Sequence, residues 1–157
     1  MALLIRKYVM VIGYVPTTSM YDTINKGDRL IINELAYVFG EPKRGDIVSF
    51  YYPDDESQVY IKRIIGLPGE TIEGKDGAVY INGTRLNESS YIDDVYTSDF
   101  GPYLIPENSY FMMGDNRSNS RDSRFWDNKY VSIDKIIGRS VLRIYPTIGK
   151  LEKAIYD

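Results

Sequence analysis

Three hydroxyl side chains in succession, Thr17, Thr18 and Ser19, follow Pro16 at the end of a β-branched and aromatic stretch. Any of them could attack a carbonyl if a neighbouring base took its proton. The 157-residue chain contains no histidine and no cysteine, so the base is not an imidazole and the nucleophile is not a thiolate. A Ser-His-Asp triad is excluded, and a zinc site loses its usual nitrogen and sulfur ligands. Hydroxyl, carboxylate and amine chemistry is what is left. The bland reading of the same three residues is a polar turn.

An amine candidate stands in Tyr60-Ile61-Lys62-Arg63-Ile64-Ile65, which runs on into Gly66-Leu67-Pro68-Gly69. In a strand, alternate residues share a face, so Lys62 would lie with Tyr60 and Ile64, and Arg63 with Ile61 and Ile65. An edge strand guarded by charge would carry the same pattern. A lysine held in an apolar site would instead lose affinity for its proton, because desolvation disfavours the ammonium, and could deprotonate a serine hydroxyl. A third segment, Gly114-Asp115-Asn116-Arg117-Ser118-Asn119-Ser120-Arg121-Asp122-Ser123-Arg124, is dense in hydrogen-bonding groups. It reads either as a charged surface loop or as a rigid polar network behind a site, with Asp122 and Arg124 as a charge pair.

Mostly strands must position these groups. Strand-like runs occur at Tyr8–Val15, Arg29–Asn33, Ile47–Tyr52, Val59–Ile65, Ala78–Ile81, Tyr110–Met113 and Ile136–Ile144. Asn82-Gly83 supplies a tight hairpin turn, and Gly27-Asp28, Gly45-Asp46, Pro68-Gly69 and Asp76-Gly77 punctuate the rest. Short helices are expected only around Glu34–Phe39 and Asp134–Ile137. Tyr91–Pro106 has no clear period and reads as a long surface loop or insert. The expected fold class is all-β and mainly antiparallel.

A formal net charge of −3 offers no basic field for a phosphate backbone, so nucleic-acid binding is not expected. Membrane contact would have to be apolar rather than electrostatic. The N-terminal apolar run Ala2–Ile5 is interrupted by Arg6 and Lys7, far short of the roughly 20 residues a spanning helix needs. It also lacks the layout of a signal peptide. Cysteine absence leaves the compartment open.

Taken in order, the Ser19-Met20 segment, Gly45-Asp46-Ile47-Val48, the Lys62-Arg63 segment ending in Gly-Leu-Pro-Gly, and the Gly-Asp-Asn-Arg segment ending in Asp-Ser-Arg resemble the characteristic boxes of bacterial type I signal peptidases. The resemblance covers about residues 15 to 145. It implies a serine endopeptidase that removes signal peptides from secreted preproteins by a Ser-Lys dyad. Ser19 would be the nucleophile and Lys62 the general base. The Ser19 N–H and the Thr17 hydroxyl would form the oxyanion hole. Ser120 would orient the lysine amine, Asp122 and Arg124 would form an ion pair behind the site, and Asp115 would belong to the same network. The implied fold is a two-sheet catalytic β-domain, residues 1–72 and 106–157, with a smaller β-region, 73–105, inserted.

No metal or cofactor is expected. The implied partners are preprotein signal peptides with small residues before the cleavage site, and the lipid interface. The implied location is the extracytoplasmic face of the bacterial cytoplasmic membrane. Relatives carry N-terminal transmembrane anchors, so the chain is expected to be a truncated soluble form, with Ala2–Ile5 the tail of a lost helix. Exposed apolar side chains near Val15–Met20 are expected to rest on the bilayer. Three departures from the family pattern touch local turns and subsites: Thr18 replaces the usual glycine, Asp22 the usual proline and Asp127 a frequent glycine. A catalytically inactive assembly factor is the alternative, but such proteins should lack the serine or the lysine. A self-cleaving repressor would need a DNA-binding segment or a cleavage linker, and neither is visible.

Overall fold

The computed structural model describes residues 10–92, 98–151 and 154–156. The Ala2–Ile5 run and the first two residues of the expected Tyr8–Val15 strand lie outside them. The strands are β1 (Met10–Tyr14), β2 (Arg29–Asn33), β3 (Ile47–Tyr52), β4 (Asp55–Gly66), β5 (Thr71–Lys75), β6 (Ala78–Ile81), β7 (Thr84–Arg85), β8 (Phe100–Leu104), β9 (Ser109–Met113), β10 (Val131–Ser132), β11 (Ile136–Tyr145) and β12 (Gly149–Lys150). They form an eight-stranded sheet in the order β1-β2-β11-β3-β4-β9-β10, with β12 on β11, and a four-stranded sheet in the order β7-β6-β5-β8. The pairings within both are antiparallel, which is the expected all-β fold class.

The β3–β4 hairpin fixes the position of the lysine. Its register runs unbroken from Ile47 opposite Arg63 to Tyr51 opposite Val59. Because successive residues alternate, Val48, Phe50 and Ile64 enter one core with Tyr110, Met112 and Trp126. Ile65 enters a second core with Phe111 and Met113, where it meets Ile72 and Val79 of the smaller sheet. β4 is covered on both faces from Lys62 to Gly66 and paired on both sides, by β3 and β9. The edge-strand reading of Lys62-Arg63 is thereby corrected, since both cations are interior. The first half of β4, Asp55–Gln58, is exposed and polar, which is why its composition does not read as strand.

Asn82 (φ 50°) and Gly83 (φ 79°) make the β6–β7 turn, as the dipeptide predicts. Two expectations fail. Glu34–Phe39 is a run of turns, held by Ala36 N–H to the Asn33 carbonyl and Val38 N–H to the Leu35 carbonyl, rather than a helix. Six residues before Gly40 and Pro42 are too few to repay helix nucleation. The expected helix at Asp134–Ile137 is a single 3₁₀ turn over Ile133–Lys135, because Ile136 already pairs with Phe50 in β11. Within Tyr91–Pro106, Phe100–Leu104 is a strand rather than loop. It sits at the edge of the smaller sheet, where Pro102 can be accommodated without losing a ladder partner.

Candidate active site

The loop after β1 is folded by its own apolar residues. Val15, Met20 and Ile24 are buried with Leu30 and Ile47. Val15 N–H donates to the Asp28 carbonyl (3.0 Å), Gly27 N–H to the Val15 carbonyl (2.8 Å) and Ile24 N–H to the Met20 carbonyl (2.8 Å). Ser19 is thus set between a buried anchor, Met20, and the exposed Thr17 and Thr18. The exposed apolar surface expected near Val15–Met20 is displaced accordingly. Val15 and Met20 face inward, while Met10, Ile12 and Tyr14 of β1 are 58%, 63% and 60% exposed.

Lys62 projects from β4 toward this loop. Its Nζ lies 2.7 Å from Ser19 Oγ and 3.1 Å from the Ile61 carbonyl oxygen, and the residue is only 4% exposed. Burial pulls the amine down to about 8 from the ordinary lysine value, against the opposing pull of the Asp122 and Asp115 carboxylates. At that value about a tenth of the amine is neutral at pH 7, far more than for an ordinary lysine, and this is the form that can accept a proton. Thr17 Oγ1 stands 3.2 Å from Ser19 Oγ. Among the described residues the Ser19 N–H has no acceptor.

The Gly114–Arg124 segment is a largely buried scaffold, with Ser118, Asn119 and Arg121 exposed. Asp122 accepts from Gly114 N–H (2.9 Å), from Ser120 Oγ (2.8 Å) and from Arg124 through Nε (2.8 Å) and Nη2 (2.9 Å). Asp115 accepts a two-pronged bond from Arg63 (2.9 and 2.7 Å) and another from Thr23 Oγ1 (2.6 Å). Asp115 and Thr23 therefore tie the buried face of β4 to the nucleophile loop, with Asp22 beside them exposed. Ser120 Oγ faces Asp122, and the direct Ser120–Lys62 hydrogen bond implied by the family resemblance is absent from the partners of Lys62. Asp127 is exposed and donates its N–H to Asp54 at 3.0 Å.

Sequence reasoning passed over several positioning groups. Asn116 N–H donates to the Ser19 carbonyl (3.1 Å), Asn116 Nδ2 to the Thr18 carbonyl (3.0 Å) and Asn119 Nδ2 to Thr18 Oγ1 (3.3 Å). Gly114 packs so tightly that a Cβ there would meet Ser120 Oγ at 2.2 Å and the Ser19 carbonyl oxygen at 2.4 Å. The Gly114→Ala protein should therefore fold with a displaced Ser19 loop and lose at least tenfold in activity. Parallel circular-dichroism melts and peptide cleavage assays check this.

Glu88 lies before Tyr91, and it is fully buried. It takes both arms of Arg117 (2.8 and 2.5 Å) and the Tyr91 hydroxyl (2.6 Å), while Arg117 Nε donates to the Gly114 carbonyl at 3.1 Å. The Tyr91 ring lies 4.2 Å below the Arg63 guanidinium. The ion-pair partner of Glu88, Arg117, sits 29 residues away in the chain, which is why no local motif marks Glu88. Glu88→Gln leaves the Arg117 charge buried without its counterion, a loss of about 3–5 kcal/mol. Thermal denaturation should show a melting temperature lowered by roughly 10 °C.

A groove of about 820 Å³ runs over Ser19 and Lys62, walled by Val11, Gly13, Ile32, Tyr60 and Ile137. Among the described residues no group of acidic side chains could hold a metal ion. In its neutral form the Lys62 amine can accept a proton from the Ser19 hydroxyl 2.7 Å away, and the groove opens over both.

Residues 1–145 match the family model described as Signal peptidase, peptidase S26. The chain is 42% identical to Signal peptidase I of Leptolyngbya laminosa, across 96% of this chain and 77% of that protein. It is 40% identical to Signal peptidase I T of Bacillus subtilis (strain 168), across 93% and 79% respectively. Among solved structures, a signal peptidase I from Enterococcus faecalis V583 is similar with a TM-score of 0.53 and 36% identity, covering 63% of this chain and 96% of that one.

Proposed function

The chain belongs to the signal peptidase family, peptidase S26, and from that premise we propose that it cleaves signal peptides from preproteins with Ser19 as nucleophile and Lys62 as general base. It is a serine endopeptidase of the signal peptidase I type. One observation carries the mechanistic reading: a buried lysine amine 2.7 Å from a serine hydroxyl, in a chain without histidine. Neutral Lys62 takes the Ser19 proton as Oγ attacks the scissile carbonyl. The Thr17 hydroxyl and Ser19 N–H stabilise the oxyanion, at roughly 3–4 kcal/mol per donor. The proton then passes to the leaving amine, and an acyl-enzyme remains. Lys62 next deprotonates a water, which attacks the ester and releases Ser19. Asp122, Arg124, Asp115 and Ser120 hold the frame.

The substrate lies extended in the groove. Side chains of an extended peptide alternate, so the first and third residues before the bond point the same way. They enter shallow apolar pockets, which favours small residues at both. We place the catalytic unit, residues 1–72 and 106–157, on the extracytoplasmic face of the cytoplasmic membrane, with 73–105 as an insert. The four-stranded sheet, which draws its strands from Thr71 to Leu104, supports that division. Among the described residues no helix is long and apolar enough to cross a membrane. Incubation with a preprotein in detergent, followed by sequencing of the new N-terminus, tests the function. Cleavage after a small residue at the end of the signal peptide is expected, and an intact preprotein would overturn the proposal.

Lipid contact would fall to the exposed Met10 and Ile12 of the edge strand β1, whose Val11, Gly13 and Tyr14 line the groove. Neutral-lipid vesicles should raise the cleavage rate of a soluble peptide severalfold, and Ile12→Asp should remove that gain. An unchanged rate, with the peptide shown to stay in solution, would defeat the interfacial contact alone.

A further inference from the structure

Three arginines stand within eight residues of the Gly114–Arg124 segment, and they have different fates. Arg117 is consumed by Glu88 and Arg124 by Asp122, both pairs fully buried. Arg121, between them, is exposed and has no hydrogen bond or ion pair among the described residues. It lines the groove that holds Ser19 and Lys62. Along that lining the charged side chains are Lys62 and Arg121, and no carboxylate is present. When Lys62 is neutral, as its role as base requires, Arg121 is the remaining charge on the wall. It directly follows Ser120, whose hydroxyl crowds the same Gly114 position as the Ser19 carbonyl, so its backbone originates beside the nucleophile.

We propose that Arg121 is a specificity-determining residue that selects preproteins carrying an aspartate or glutamate close to the scissile bond. This rests on the peptidase reading above. The two pockets for small side chains cannot take an acid, which leaves the second residue before the bond and the first residues after it. A guanidinium receives a carboxylate through parallel N–H donors, and at a partly open site such a pair changes affinity by up to about fivefold. Selection of this kind acts on the junction with the mature protein and is independent of the basic start of the signal peptide.

The test uses a peptide with small residues at the first and third positions before the bond, and Glu, Gln or Lys placed in turn at the other positions named. The readout is the ratio of kcat/KM for the Glu peptide to that for the Gln peptide, in the wild-type chain, R121A and R121E. At one position the wild-type ratio should be about fivefold, R121A should bring it near one, and R121E should push it below one while the Lys peptide becomes the best of the three. Dissociation constants of the same peptides for the Ser19→Ala protein give the preference without cleavage. Equal ratios in all three proteins would overturn the proposal, including the case where every peptide slows alike because Arg121 merely supports the loop. An effect of R121A seen only on anionic vesicles would reassign the residue to lipid and also overturn it. Failure of the wild-type chain to cut any peptide, with the binding preference intact, would count against the peptidase reading and leave Arg121 as a carboxylate-selecting residue.

Discussion

Lys62→Arg is expected to abolish cleavage although the positive charge stays. A guanidinium keeps its proton throughout the accessible pH range, so it cannot take one from Ser19. The same amine sets the pH profile of the unaltered chain. With its value near 8, the neutral fraction rises about tenfold per pH unit below that point and levels off above it, and kcat/KM should follow. Stability carries the same signature. The folded value lies below the unfolded one, so between about pH 8 and the ordinary lysine range the unfolded chain binds more protons, and stability climbs with pH across that window. Below pH 8 burial of the amine costs on the order of 3 kcal/mol. Lys62→Met removes that cost and keeps an apolar stem, so it should be as inactive as the arginine protein while melting higher at pH 7. Retained turnover in the arginine protein would mean that Lys62 acts only as a charge.

Ser19→Ala removes the nucleophile and should lower kcat by on the order of 10⁶-fold, in line with the loss of a serine nucleophile elsewhere. The hydroxyl is half-buried, and Met20, Ile24 and the Asn116 bonds hold the loop without it, so the melting temperature should stay within a degree or two. Peptide binding should survive, because the groove walls are untouched. Active-site titration with a serine-directed acylating reagent gives the complementary readout: one equivalent on the native chain and none on Ser19→Ala.

Much of the fold is legible in local pattern. Ile47–Tyr52 and Tyr110–Met113 announce themselves by β-branched and aromatic content, and Asn82-Gly83 by its backbone demands. The exposed half of β4 is not legible, because a strand continued by pairing alone needs no apolar residues. Glu34–Phe39 misleads, since a short helix-forming composition says nothing about the Gly40 and Pro42 that stop it. At the candidate site, the absence of histidine and cysteine narrows the chemistry, and the family resemblance is what singles out Ser19 and Lys62; their 2.7 Å approach is a property of the tertiary fold. Glu88, Asn116 and Asn119 act across intervals of 29, 98 and 101 residues, and no spacing rule reaches that far.

Lys62 and Arg63 are neighbours on one strand with opposite destinations. The first faces the groove, while the second is locked to Asp115 on the other side. A slip of one residue in the β3–β4 ladder would exchange them, presenting to the serine a group that never releases its proton and leaving a lysine in a seat shaped for a fork. A single-residue insertion or deletion between Val59 and Arg63 that shifts this register is therefore expected to abolish cleavage, even where it preserves every side chain of the site. Sheet alignment thus decides which of the two cations meets Ser19.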